Sequence, residues 1–97
     1  MKKVKDFEQE VLNSGGDVFV DFSATWCAPC KTMSERIDEF LKDNPEVYFL
    51  KVDVEDVEDI AHYNIRSIPT LIKFVNGEEK ARVTGLITVE EIADFVF

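Results

Sequence analysis

Both cysteines of this 97-residue chain fall in one stretch, Trp26-Cys27-Ala28-Pro29-Cys30-Lys31, and that stretch lies where the hydrophobic pattern changes period. Upstream, Val18-Phe19-Val20-Asp21-Phe22 is a short apolar run of the kind that forms a buried strand. Downstream, Met33, Ile37, Phe40 and Leu41 recur at i, i+4, i+7 and i+8, the period of an amphipathic helix. Proline is accommodated in the first turn of a helix, where its missing N–H had no partner, and hardly at all further in. Pro29 therefore starts the helix near Cys27 and puts Cys30 about one turn inside it. Helical i, i+3 spacing leaves Cβ atoms about 5–6 Å apart, whereas a disulfide needs roughly 3.5–4.5 Å. A small local adjustment closes or opens the bond, so both redox states fit one backbone.

The two sulfurs should be chemically unequal. Cys27 faces the unpaired N–H groups and the positive end of the helix dipole, which favour a thiolate, and only the thiolate attacks a disulfide. Cys30, deeper and nearer apolar neighbours, should keep its proton until it is needed. We read Cys27 as nucleophile and Cys30 as resolving thiol. A purely stabilising bridge is the weaker reading, because closing so short a loop removes little chain entropy. A zinc site is weaker too: the motif offers two ligands and the rest of the chain one histidine, His62, where a closed structural site needs four.

A chain of this length makes one domain, residues 1–97, with a single core. The net charge of −9 argues against nucleic acid or an anionic membrane as partner, and no apolar run reaches the length of a membrane span. The acidic cluster Asp53, Glu55, Asp56, Glu58 and Asp59 reads as solvated surface. Met1 to Asp6 lacks the apolar centre of a secretory signal. Cysteines confined to one short motif fit a reducing compartment; the expectation is cytoplasmic.

In chain order, Val4, Phe7, Val11 and Leu12 follow helical spacing up to Asn13-Ser14-Gly15-Gly16. The strand Val18 to Phe22 follows, then the helix to Lys42, broken at Asp43-Asn44-Pro45. Glu46 to Val54 reads as the next strand, which makes a βαβ unit with a right-handed crossover. A short helix is predicted over 57–63 with Ile60 and Ala61 inward, then a loop to Pro69. Thr70 to Val75 and Ala81 to Thr84 form a hairpin around Asn76-Gly77, with room for a longer loop. Thr88-Val89-Glu90-Glu91 has capping-box spacing, and Val89, Ile92, Ala93 and Val96 give the last helix its apolar face. The fold class is α/β, a mixed sheet covered by helices.

Asp21 interrupts a strand that otherwise reads as buried on both faces. A buried carboxylate is costly and its pKa rises, so this position, six residues before Cys27, suggests proton exchange with Cys30 through water. Lys51 on the neighbouring strand could temper its charge. Trp26 suits an apolar rim for a substrate. His62 reads as a surface residue. Base rates alone make the Ile68–Pro69 bond trans.

Taken together, Val20-Asp21-Phe22, Trp26-Cys27-Ala28-Pro29-Cys30-Lys31, Lys51-Val52-Asp53, Ile68-Pro69-Thr70 and Gly85 resemble the thioredoxin family, in order and spacing, over nearly the whole chain. The resemblance implies a thioredoxin fold, with a central four- to five-stranded sheet, and a protein-disulfide reductase that needs no bound cofactor beyond its own redox-active disulfide, Cys27–Cys30. It implies disulfide-containing protein substrates, recharging by an NADPH-dependent flavoprotein thioredoxin reductase, and a monomer. It also implies that Ile68–Pro69 is cis and packed against the cysteines, with Ile68 offering its backbone to an extended substrate. Trp26, Ala28, Pro29, Ile68, Pro69 and the Gly85-Leu86 turn would then line the docking surface. Three departures stand out. Ala28 occupies a position where glycine is usual, which bears on redox potential and on contact with the reductase. Glu35 replaces a common proline, so no kink is expected. The family's first strand is reduced to Lys2–Lys5 or missing. Isoleucine before Pro69 and proline at 29 favour a reductase by analogy. The alternatives are a non-catalytic binding subunit or adaptor on the same fold, or a metal-binding module.

Overall fold

The computed structural model describes residues 1–56 and 63–97. All of the short helix predicted over 57–63 except Tyr63, and with it the placements expected for Ile60, Ala61 and His62, lies outside the described residues. Among the described residues, five strands form one sheet: β1 (Lys2–Lys3), β2 (Asp17–Ser23), β3 (Phe49–Asp53), β4 (Thr70–Val75) and β5 (Glu78–Thr84). Their spatial order is β1-β3-β2-β4-β5. Helices α1 (Ala28–Asp43) and α2 (Val89–Val96) complete the frame.

β2 and β3 are parallel, joined by α1 as the βαβ pattern requires, and β4 runs antiparallel to β2. Phe19 pairs with Phe49 and Asp21 with Lys51, and this register decides what reaches the site. Side chains alternate faces along a strand. One face carries Val18, Val20, Phe22, Leu50, Val52, Ile72 and Phe74, covered by Val4, Phe7 and Val11. The other carries Phe19, Phe49 and Leu71 against Met33, Ile37 and Phe40 of α1 and Ile92 and Val96 of α2. Two residues on from Phe19 and Phe49, the α1 face turns polar: Asp21 and Ser23 on β2, Lys51 and Asp53 on β3. This polar layer lies at the end of β2 that feeds the cysteine turn.

Four local expectations are corrected. Val4 is extended rather than helical: its N–H donates to the Lys51 carbonyl at 2.8 Å, so pairing with β3 outcompetes a helical start. The coil begins at Phe7, with Glu10 N–H donating to the Asp6 carbonyl at 2.9 Å, and continues through Glu8–Leu12 as a wide turn closed by Asn13 N–H donating to the Glu8 carbonyl at 2.8 Å. β3 begins at Phe49 rather than Glu46, because residues 44–47 form a turn in which Val47 N–H donates to the Asn44 carbonyl at 3.2 Å. The hairpin keeps its tight Asn76-Gly77 turn, but its returning strand starts at Glu78 rather than Ala81. Asn76 and Gly77, at φ 50° and 83°, make a two-residue turn, and β5 starts at once with Glu78 against Val75. Gly77 is required here for a second reason: a Cβ would collide with the Leu12 carbonyl oxygen.

α1 runs unbroken past Glu35, and α2 begins with the capping box expected of Thr88 and Glu91, each side chain bonding the other's backbone N–H at 3.1 Å.

Candidate active site

Cys27 is the residue that caps α1. Its backbone is extended, Ala28 and Pro29 open the helix, and its Sγ accepts the N–H of Cys30 at 3.2 Å. Cys27 and Cys30 are joined in a disulfide across a Cα–Cα distance of 5.2 Å. An N-capping sulfur beside a donated N–H and the positive helix end is where a thiolate is stabilised. Both cysteines are largely covered, Cys27 at 6% and Cys30 at 1% exposure. Ala24, Val54 and Ile68 pack around them.

The Ile68–Pro69 bond is cis, against the base rate and in line with the resemblance. Pro69 is buried and Ile68 half-buried against the cysteine cluster. The segment is tied to β5, since Gly85 N–H donates to the Pro69 carbonyl at 2.8 Å. Gly85 itself has φ +98°, where L side chains are rare. Trp26 is 70% exposed and Leu86 43%, and Ala28 and Pro29 are also on the surface. Of the residues expected to line a docking surface, Trp26, Ala28, Pro29 and Leu86 are exposed, Ile68 and Gly85 are half-buried and Pro69 is buried.

The acidic cluster is not plain solvated surface. Asp53 is buried, and its Oδ1 accepts the Glu55 N–H at 2.9 Å. Glu55 in turn accepts the Trp26 indole N–H at 2.8 Å, fixing the exposed ring, and Asp56 pairs with Lys3 at 2.9 Å. Glu58 and Asp59 lie outside the described residues.

Beneath the cysteines lies the polar layer. Asp21 is fully buried. Ser34 Oγ donates to its Oδ2 at 3.4 Å, and Lys51 Nζ donates to Ser34 Oγ at 3.0 Å. Asp21 Oδ1 and Ser23 Oγ have no hydrogen-bond partner among the described residues. Burial pushes the Asp21 carboxyl up from 3.8 to about 7, outweighing the pull of Lys51 and of the Ser34 hydrogen bond. Ser34 follows Cys30 by one helical turn, so the carboxyl sits one turn below the inner cysteine. A cleft of about 280 Å³ opens the same region to solvent, lined by Cys30, Lys51, Ser23, Asp53, Lys3 and Lys31 among others. Sequence reasoning missed Ser34, whose signal was its i+4 spacing from Cys30, and the inward turn of Ser23 and Asp53, two residues on from Asp21 and Lys51. No three His, Cys, Asp or Glu residues group as metal ligands among the described residues.

The thioredoxin family model matches residues 1–97. The chain is 40% identical over 94 residues to a thioredoxin of Rickettsia bellii, covering 95% of this chain and 90% of that one. It is 40% identical over 86 residues to thioredoxin-2 of Pyricularia oryzae, covering 88% of this chain and 50% of that one. The fold superposes on oxidised mitochondrial thioredoxin 3 of Saccharomyces cerevisiae with a TM-score of 0.83, at 24% identity, over 99% of this chain and 92% of that one. With its capping cysteine bridged to the next turn of the same helix, the chain belongs to the thioredoxin family and is a protein-disulfide oxidoreductase that works by dithiol–disulfide exchange.

Proposed function

We propose that the protein runs in the reducing direction, as a general reductase of protein disulfides in the cytoplasm. In this reading it is monomeric, has no bound cofactor, and is recharged by an NADPH-dependent flavoprotein thioredoxin reductase. The observation that carries the reading is the position of Cys27 Sγ at the α1 N-terminus, accepting the Cys30 N–H. Cysteines confined to one motif support a reducing compartment.

In the reduced protein the Cys27 thiolate attacks one sulfur of a target disulfide. The target S–S bond breaks, its second sulfur leaves as a thiolate that takes a proton, and a mixed disulfide forms. Cys30 then gives its proton to the Asp21 carboxylate, directly or through water in the cleft, and attacks Cys27 Sγ. The bond from Cys27 to the first target sulfur breaks, and that sulfur departs as a thiolate that takes a proton. The Cys27–Cys30 disulfide forms, and two electrons have passed from the protein to the target. A group titrating near 7 can both take and return that proton at working pH. Holding Cys30 next to the mixed disulfide makes the second step intramolecular, with the high effective concentration that implies. Lys51 keeps the carboxyl from rising further. Trp26, Ala28, Pro29, Ile68, Pro69 and the Gly85-Leu86 turn form the docking surface, with the Ile68 backbone as the edge on which an extended substrate segment lies.

The test is turbidity-monitored reduction of a protein disulfide by dithiothreitol. Wild type should accelerate it and Cys27→Ser should not. Cys30→Ser should accumulate the mixed disulfide on non-reducing gels. Activity surviving in Cys27→Ser, or rapid turnover by Cys30→Ser, would refute the assignment.

A further inference from the structure

Arg82 stands on β5, away from the disulfide, and makes four hydrogen bonds. Its Nε and Nη2 donate to the two carboxylate oxygens of Glu79, both at 2.7 Å, as a bidentate fork. The guanidinium reaches further: Nη2 donates to the Tyr63 carbonyl at 2.6 Å and Nη1 to the Asn64 carbonyl at 3.1 Å. Those two carbonyls begin the segment that ends in Ile68–Pro69. Asn64 has φ 55°, in the left-handed region that asparagine adopts more readily than other residues with a Cβ. Arg66 Nε adds a bond to the Asn64 side-chain oxygen at 3.0 Å. At the far end, Gly85 N–H holds the Pro69 carbonyl, and Thr70 Oγ1 donates to the Ser67 carbonyl at 2.7 Å. The segment is therefore hung from β5 at both ends, by Arg82 at Tyr63-Asn64 and by Gly85 at Pro69, with Ile68 suspended between.

We infer that Arg82 is a positioning residue for protein substrates: by clamping the carbonyls of Tyr63 and Asn64 to β5 it sets where the Ile68 backbone stands relative to the Cys27–Cys30 pair. The inference rests on the reading of Ile68 as the docking edge. It makes Arg82 responsible for substrate binding while leaving the sulfur chemistry alone, since no Arg82 atom contacts either cysteine in the bonds that fix it. Lysine cannot substitute, because its three donors share one nitrogen, whereas the four bonds are made from Nε, Nη1 and Nη2 of a planar fork.

The experiment compares two substrates on wild type, Arg82→Ala, Arg82→Lys and Glu79→Gln. One is an extended peptide containing a disulfide and the other a small aromatic disulfide with no peptide backbone. Arg82→Ala should raise KM for the peptide about five- to tenfold with kcat little changed, because the edge grips substrate and transition state alike, and should reduce the small disulfide at the wild-type rate. Arg82→Lys should not restore the peptide KM, and Glu79→Gln, which folds with the carbonyl bonds retained, should raise it less. Equal loss on both substrates in step with a lowered melting temperature would make Arg82 merely structural. No loss on either would also overturn the role. An analogue of the peptide, N-methylated at the residue that pairs with Ile68, separates the two layers of the argument. A wild type indifferent to the methyl group would sink the docking-edge reading, and the Arg82 role with it. A wild type that discriminates, beside an unchanged Arg82→Ala, would overturn the Arg82 role alone.

Discussion

Replacing Asp21 with asparagine isolates the energetics of the buried carboxyl. The group titrates at about 7 in the folded protein and at 3.8 when free of burial, because desolvation dominates over Lys51 and Ser34. Below pH 3.8 the carboxyl is protonated in both folded and unfolded chains and carries no penalty. Between 3.8 and about 7 the unfolded chain ionises while the folded one resists, so the penalty on folding grows with pH. Above about 7 it is complete. A difference of about three pKa units corresponds to roughly 4 kcal/mol. Asparagine keeps the shape and an acceptor for Ser34 but cannot ionise. Its own amide adds an offset that does not vary with pH, and the other titrating groups, including Asp38 and Lys51, largely cancel in the comparison. Urea unfolding of the disulfide forms of both proteins at intervals from pH 4 to 9 reads the difference directly. The variant's advantage should rise across the interval by up to about 4 kcal/mol, most of it between pH 4 and 7. In a domain this size each kcal/mol moves the melting temperature by about 4–8 °C, so heating would reveal it equally well. Two stability curves that run parallel across the whole range would show that Asp21 ionises as freely inside the fold as outside, and the proton-exchange mechanism would lose its base.

Lys51→Met should move the same transition to higher pH, since a cation that favours the charged carboxyl is removed; an unmoved midpoint in the Asp21-dependent part of the stability curve would detach Lys51 from it. Gly77→Ala should destabilise the fold by about 2–4 kcal/mol through a positive φ and a collision with the Leu12 carbonyl, read as a lower urea midpoint with the small-disulfide rate retained. A change below about 0.5 kcal/mol would mean the hairpin is not held against the N-terminal segment.

The parts of this molecule legible from sequence are those where one local rule acts unopposed. Pro29 fixed the start of α1, Thr88 and Glu91 the start of α2, and Asn76-Gly77 the hairpin. Boundaries set by competition were not legible. Val4 satisfies a helical spacing and a strand pairing equally well, and only the proximity of Lys51 decides for the strand. The same limit applied to the site. Asp21 announced itself as a charge in an apolar run, but its partner Ser34 looks like any polar helix residue until α1 is laid on β2. Asp53 sat in an acidic run whose neighbours Glu55 and Asp56 are exposed, and its burial follows from the β2–β3 register, which no single strand contains. The cis bond before Pro69 came from the resemblance alone.

The border of the sheet at β5 has a consequence for traffic. The register slips between Lys73 and Phe74, so that Lys80 is squeezed out of the ladder, and Glu78, Glu79, Lys80 and Arg82 crowd the same rim. A kinked margin dense in charge is a poor template for a stray strand. Extended chains therefore pair poorly along that flank, and a protein that exchanges disulfides with other proteins is kept from being stitched onto them edge to edge.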